Sequence, residues 1–286
     1  MKVVFLKSLV NREEELADAL VKGIETEGDE CKILPISKLT KEPRHLGCDF
    51  VGFVGMKRHE WFDWCRDNNQ RFMYFDKGYY HREFEDRKNI ILWRVTVDAQ
   101  QPTAYIETAK HTPDRWNELG RVMEQWRKPH PLGHIIVANS SEKYHEFHDL
   151  PHPTRWVEDV VAELRRYTDR DIWYRPKPSW RYATPVRGTK YCPREPLSQL
   201  FPGCHALVTY GSYICVDALL NGIPSIILGD GITRSISSTS ISEIENPRLA
   251  SDEERIQILA NMAWCQYQLK EWKNGFAWRN IKELFV

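Results

Sequence analysis

Three short stretches of this chain combine residue types that can bind phosphate or move a proton. Tyr210-Gly211-Ser212 lies between an apolar run and a helical one, with Asp217 about one helical turn further on. A glycine there lets a ligand approach the main chain, a serine hydroxyl caps a helix or binds a phosphate oxygen, and the carboxylate accepts a bond from a sugar or base. Asp76-Lys77-Gly78-Tyr79 follows the apolar run 71–75. A carboxylate at the carboxyl end of a parallel strand projects into the ligand crevice and can serve as a general base, tuned by burial and by neighbours such as Lys77 and Arg82. Asp230-Gly231 opens the hydroxyl-rich 232–240, where hydroxyls can bond a sugar and Arg234 can bind a carboxylate or phosphate. Each has a plainer counterpart: a capped helix in ordinary strand–helix packing, a turn-forming aspartate, and a polar loop.

The elements that must position these groups follow from hydrophobic periodicity. Strands are expected over 3–6, 31–34, 50–54 and 71–75, with a helix over 12–27 capped by Asn11 and a short aromatic-rich helix over 59–69. A strand over 90–95 and a helix over 113–126, with Trp116, Leu119, Val122 and Met123 inward, come next. Pro129, Pro131 and Gly133 then read as an interdomain linker. A second α/β series begins with a strand over 134–138, ending in the polar turn Asn139-Ser140-Ser141, which is placed like the one at Gly211. A helix over 154–167 and strands over 171–174, 206–209 and 225–228 complete it. A long helix from Ser251 or Asp252, continued by an apolar series to Leu284, is expected to pack on the protein's own domains. The expected domains are 1–128, 129–250 and the terminal helices 251–286.

Composition narrows the partners. Lys plus Arg and Asp plus Glu stand at 40 each in 286 residues, so no global field recruits nucleic acid or membrane. No apolar run reaches the length of a membrane span, and the amino terminus lacks a signal-peptide plan, so a cytoplasmic protein is expected. Seven scattered cysteines without a C-x-x-C pair argue against a disulfide framework or a structural zinc site. No clustered Asp-x-Asp appears, so no metal ligands are assigned and a divalent-metal requirement stays open. The 11 tryptophans serve a core or line sugar and base sites.

One local patch departs from neutrality. Between Arg170 and Arg194 there are seven cations, Arg170, Arg175, Lys177, Arg181, Arg187, Lys190 and Arg194, against the single acid Asp171, with Trp173, Tyr174, Trp180, Tyr182 and Tyr191 between them. Such a segment either tracks a nucleic-acid acceptor or serves a donor's phosphates and base.

Arg175-Pro176-Lys177-Pro178-Ser179 resembles the Lys-Pro-His-Pro segment of bacterial capsule Kdo transferases, polysialyltransferases and glycerophosphate polymerases. Thr209-Tyr210-Gly211-Ser212 through Asp217-Ala218-Leu219-Leu220-Asn221-Gly222-Ile223-Pro224 is similar to their Ser/Thr-Ser to Glu/Asp-Ala-Leu-Leu-x-Gly-x-Pro unit. Phe75-Asp76-Lys77-Gly78-Tyr79-Tyr80-His81-Arg82 is similar to the Glu-Asp-Gly-Phe-x-Arg segment of the retaining Kdo transferases. Ser179 stands where histidine is expected, and Lys77 interrupts the acidic pair.

The resemblance implies a GT-B architecture: two Rossmann-like α/β domains facing a cleft, with a terminal helix returning across the hinge. It implies a glycosyltransferase that takes a nucleotide-sugar donor in its carboxyl-terminal half, with no cofactor beyond the donor, and a saccharide or modified DNA base as acceptor. Donor residues would be Ser140, Arg175, Lys177, Ser179, Gly211, Ser212, Asp217, Asp230 and Arg234, with Lys177 on the diphosphate. Asp76 would be the catalytic carboxylate, and Lys77, Tyr79, Arg82 and Arg181 would face the acceptor. The alternatives are a non-catalytic protein that binds a nucleotide, glycan or nucleic acid on a degenerate transferase fold, and a glycerophosphate-type transferase.

Overall fold

The computed structural model describes residues 1–8, 12–36, 46–55, 59–81, 91–128 and 130–285. It divides into two compact units, Met1–Pro102 with Met262–Val286, and Thr103–Asn261.

The first unit is built on β1 (Lys2–Lys7), α1 (Arg12–Thr26), β2 (Glu30–Pro35), β3 (Phe50–Val54), α2 (His59–Asp67), β4 (Phe72–Lys77) and β5 (Trp93–Val97). β1 to β4 are parallel and β5 runs antiparallel beside β4. Strands buried on both faces need continuous apolar sequence, and Val3 to Leu6 and Phe72 to Phe75 supply it. Asn11, the expected cap of α1, lies outside the described residues.

The second unit contains α3 (Thr103–Thr108), α4 (Asp114–Glu118), β6 (His134–Ala138), α5 (Glu142–Phe147), α6 (Pro153–Leu164), β7 (Ile172–Arg175), β8 (Lys190–Tyr191), α7 (Leu197–Leu200), β9 (Cys204–Thr209), α8 (Ile214–Leu220) and β10 (Ser225–Ile227). Its sheet is all parallel, in the order β10-β9-β6-β7-β8. Val157, Val160, Val161 and Leu164 of α6 pack on Ile135, Val137, Ala206 and Val208 in one core.

Three expectations change here. The helix expected over 113–126 stops at Glu118, because Gly120 takes a positive φ of 67°. The following stretch instead bonds through its main chain, Glu124 N–H to Leu220 O (2.8 Å) and Arg127 N–H to Gly222 O (2.8 Å), leaving Val122 79 % exposed rather than inward. The punctuated stretch 127–133 therefore lies inside the second unit, and the boundary falls at Pro102/Thr103.

The tail also differs. α9 (Asp252–Ala263) ends early, and β11 (Gln266–Tyr267) adds antiparallel to β5 before α10 (Leu269–Lys273) and α11 (Phe276–Phe285). The first sheet thus runs β11-β5-β4-β3-β1-β2. A strand wins over the helical spacing because it covers the open edge of β5, and Gln266 Oε1 accepts the amide hydrogens of Tyr79 (2.8 Å) and Tyr80 (3.3 Å). Trp272 then packs against Phe75 and Trp278 against Phe50, with ring centroids 5.4 and 6.0 Å apart. The approach of α10 to α1 requires Gly23, where a Cβ would lie 1.7 Å from the carbonyl oxygen of Trp272.

Candidate functional site

In the second unit the chain passes from β6 to β7 on one side, then returns to place β9 and β10 on the other. The strand order reverses between β6 and β9, and in such sheets the crevice at the carboxyl ends is where ligands bind. Two turns border it, Asn139-Ser140-Ser141 after β6 and Tyr210-Gly211-Ser212 after β9, with Ala138 in register with Thr209 on one side and Arg175 on the other. No helix of the described residues is long and apolar enough to cross a membrane. Among those residues no three His, Cys, Asp or Glu side chains converge as a bound metal would need.

Several sequence-selected donor residues meet here. Arg175 ends β7 and is largely buried. Burial lowers its pKa from the ordinary value, while the charges of Asp217, on α8, and Glu195 oppose that shift. Its Nε makes no hydrogen bond within the protein. Ser140 is buried, Ser212 is half-buried, and Lys177 and Ser179 are exposed on the segment leaving β7. The Ser212 hydroxyl does not cap α8, since that helix has Tyr213 at its cap and no side-chain cap bond. The Ser212 amide donates to Thr209 Oγ1 (3.2 Å), so the main chain of the turn is engaged internally.

Gly211, Asp230 and Arg234 hold the crevice together. A Cβ at Gly211 would lie 2.1 Å from the Asp230 carbonyl oxygen and 2.8 Å from the Tyr144 hydroxyl, so the room kept by glycine is occupied by the protein's own main chain. Asp230 Oδ1 accepts from the Thr103 hydroxyl (2.6 Å). Arg234 Nη1 donates to the carbonyls of Ile227 (2.9 Å) and Gly229 (3.1 Å), bracing the end of β10.

Two residues at this crevice escaped selection from sequence. Asn139 is 3 % exposed; its amide donates to Pro153 O (3.2 Å) and Tyr174 Oη (3.1 Å), while its Oδ1 has no partner within the protein. His148, just past α5, stacks at a tilt on Tyr144 with centroids 4.3 Å apart and lies 5.5 Å from the Tyr210 ring. Its Nε2 also lacks a protein partner, and burial lowers its pKa against the opposing charge of Asp230. The turn that pointed to Ser140 contained the signal for Asn139. Nothing in the spacing of His148 marks it.

The remaining candidates belong to the first unit. Asp76, near the end of β4, extends past the register shared with β3. Its Oδ2 accepts from the Tyr74 hydroxyl (3.2 Å) and lies 3.7 Å from Nη2 of Arg94, a side chain with 0 % exposure whose guanidinium sits over the rings of Tyr74 and Tyr79. Asp76 Oδ1 accepts the Lys77 amide (2.8 Å). Tyr79 is 2 % exposed beneath Arg94, so its ring belongs to the core and not to a surface that an acceptor can touch. Lys77 is half-buried, Arg181 is exposed in the second unit, and Arg82 lies outside the described residues.

No family model and no curated protein sequence matches the chain. A solved structure titled Thermosulfurimonas dismutans KpsC, beta Kdo 2,7 transferase, is similar over 98 % of this chain and 99 % of its own, at 12 % identity and a TM-score of 0.54. The fold is that of a GT-B glycosyltransferase. The S. aureus MnaA-UDP co-structure (13 % identity, 98 % of this chain and 94 % of that one, TM-score 0.33) and CalG4, the calicheamicin glycosyltransferase (10 %, 99 % and 97 %, 0.31), are more distant. At the strand-order reversal between β6 and β9 this fold leaves a crevice at the carboxyl ends of the strands, where Asn139 and Ser140 follow β6 and Arg175 ends β7.

Proposed function

We propose that this chain is a glycosyltransferase that binds a nucleotide-sugar donor at the carboxyl-terminal crevice of the Thr103–Asn261 unit and passes the sugar to a saccharide or nucleic-acid acceptor. The observation that carries the reading is a pair of buried polar atoms without protein partners, Asn139 Oδ1 after β6 and Arg175 Nε at the end of β7, beside the strand-order reversal. A buried amide oxygen and a buried guanidinium nitrogen without protein partners are costly unless something bonds them, and a nucleotide supplies both donors and acceptors. Arg175 and Lys177 oppose the phosphate charge, the hydroxyls of Ser140, Ser179 and Ser212 bond phosphate or ribose oxygens, and Asp217 accepts from ribose or base. Gly211, Asp230 and Arg234 act by shaping the loop beside the nucleotide.

In this reading Asp76 takes the acceptor hydroxyl's proton as the new bond to the anomeric carbon forms and the nucleotide leaves. A second reading, nucleotide binding without transfer, is favoured by one observation: the Asp76 carboxylate is already paired with buried Arg94. A thermal-shift and calorimetric screen of CMP, CDP, UDP, GDP and their sugars tests the donor site, followed by measurement of released nucleotide. Binding with release upholds transfer, and binding without release upholds the second reading. Turnover of CDP-glycerol alone moves the chemistry to phosphate transfer, while no binding by any member sinks the donor site.

A further inference from the structure

The basic segment after β7 takes on a definite path in the structure. β7 and β8 are parallel neighbours, with Trp173 in register with Lys190, so residues 176–189 must return from the carboxyl end of the sheet to its amino end. They do so along the β8 edge. Trp180 Nε1 approaches Glu142 Oε1 (3.4 Å) near the carboxyl end, the Tyr191 hydroxyl donates to Ala183 O (2.9 Å) midway, and Arg165 reaches Gly188 O (3.5 Å) near the amino end.

The structure also sorts the cations. Arg170 is engaged by Glu245 and by three main-chain carbonyls, and the Nε of Arg175 is buried. Lys177, Arg181, Arg187, Lys190 and Arg194 are exposed, and the sequence has no acid between Asp171 and Glu195. Lys190 rests over the Trp173 ring at 3.6 Å, which fixes its place on the edge. Next to Arg181, the Tyr182 side chain is 75 % exposed, the state of a ring with a face to offer.

We propose that this edge of the second unit binds a nucleic-acid strand, with Arg181, Arg187, Lys190 and Arg194 along the phosphates and Tyr182 stacked on an unpaired base. The proposal deepens the transferase reading by naming its acceptor class, and it rests on that reading only for the transfer step. Guanidinium groups pair with phosphate oxygens in bidentate fashion, a run of cations spaced over the length of a sheet matches a repeating anion, and an exposed ring beside it supplies the sequence-tolerant stacking that single strands use. The overall charge of zero makes this patch local, so binding should map to it.

Fluorescence anisotropy with a labelled oligo-dT of about 15 nucleotides, titrated in salt upwards from about 50 mM, tests the proposal. Four phosphate contacts on a single strand predict a log–log salt slope of about −3. Arg181→Ala with Arg187→Ala should make that slope shallower by about 1.4, and Tyr182→Ala should weaken binding about tenfold with the slope unchanged. Melting temperature and the nucleotide-induced shift of each variant are followed in parallel to verify folding.

Absence of oligonucleotide binding at the lowest salt overturns the proposal, as does binding that ignores the double variant. So does equally tight binding of hyaluronan that is insensitive to Tyr182→Ala, which assigns the surface to anionic saccharide instead. Oligonucleotide binding without any nucleotide binding removes the donor reading and leaves this surface standing. Nucleotide binding without oligonucleotide binding does the reverse.

Discussion

Asp76 and Arg175 both stand near the end of a parallel strand, one in each unit, and the protein treats them in opposite ways. Around Asp76 the first unit closes on itself: Arg94 is fully buried against the carboxylate, Tyr74 donates to it, and Gln266 arrives from β11 to accept the amide hydrogens of Tyr79 and Tyr80. Around Arg175 the second unit leaves capacity open, with the guanidinium Nε and the Asn139 Oδ1 buried and without protein partners. Position at a strand's carboxyl end is therefore not enough to mark a ligand group. Buried side-chain atoms without a hydrogen-bond partner also occur in the first unit, Trp272 Nε1 among them, so what distinguishes those of Asn139 and Arg175 is their place at the carboxyl ends of strands beside a strand-order reversal.

One glycine from each unit should show the difference with the largest effect. Gly23→Ala drives a Cβ to 1.7 Å from the Trp272 carbonyl, and Gly211→Ala to 2.1 Å from that of Asp230. Main chain cannot give way cheaply, so each should lose about 3 kcal/mol of stability by chemical denaturation. They should differ in function. Gly211→Ala displaces the loop beside the crevice and should weaken nucleotide binding per folded molecule, whereas Gly23→Ala should leave it unchanged. Equal nucleotide affinity in both folded variants would mean that the crevice does not depend on the Asp230 loop.

Asp76→Asn comes next. Removing the charge leaves buried Arg94 without its carboxylate, which costs about 2 to 3 kcal/mol after allowing for the part of Asp76 that water reaches. A general base lost in the same substitution should also lower turnover per folded molecule by about a hundredfold or more. Early melting with retained turnover would make Asp76 a structural partner of Arg94 and leave the proton transfer to another carboxylate.

Much of this contrast was legible in the chain and part was not. The strands at 3–6, 50–54 and 71–75 and those at 134–138 and 206–209 read correctly because a strand buried on both faces is a continuous apolar run. The pairing of β6 with β9, and with it the crevice, follows from long-range order that no local spacing encodes. The helix expected past Glu118 was cut by a left-handed Gly120, and the strand at Gln266–Tyr267 was concealed by apolar spacing that fits a helix equally well. Asp76 and Ser140 were singled out in the sequence from their place at the end of an apolar run. Arg94, which decides what Asp76 does, lies on an antiparallel neighbour some 18 residues on and carries no sequence mark.

A smaller effect is expected at Lys177. The side chain is exposed, so Lys177→Ala should change stability little. Loss of a charge-assisted phosphate contact of about 1.5 kcal/mol or more weakens nucleotide binding roughly tenfold. Calorimetry decides it, and unchanged affinity would remove Lys177 from the donor site while leaving Arg175 in place.

The smallest expected effect separates the units by pH. His111, His134, His145, His148 and His205 all belong to the second unit, and burial lowers the pKa of each. A histidine held below its unfolded value resists protonation when folded, so its contribution is complete above about pH 6.5 and declines as acid protonates the unfolded chain first. In the first unit Asp29 behaves differently. Burial opposes its charge, but hydrogen bonds from Lys282, the Met1 ammonium and Trp278 outweigh it and hold the carboxyl at about 2. That stabilisation is complete above the ordinary carboxylate range, while the Met1 and Lys282 ammonium groups stay charged, and it is lost on the acid side as pH falls from about 4 towards 2. Hydrogen exchange read by mass spectrometry at pH 7.5 and 5.5 should therefore show protection falling in Thr103–Asn261 while Met1–Pro102 holds. Loosening of the first unit before the second would show that the five histidines do not set the acid response.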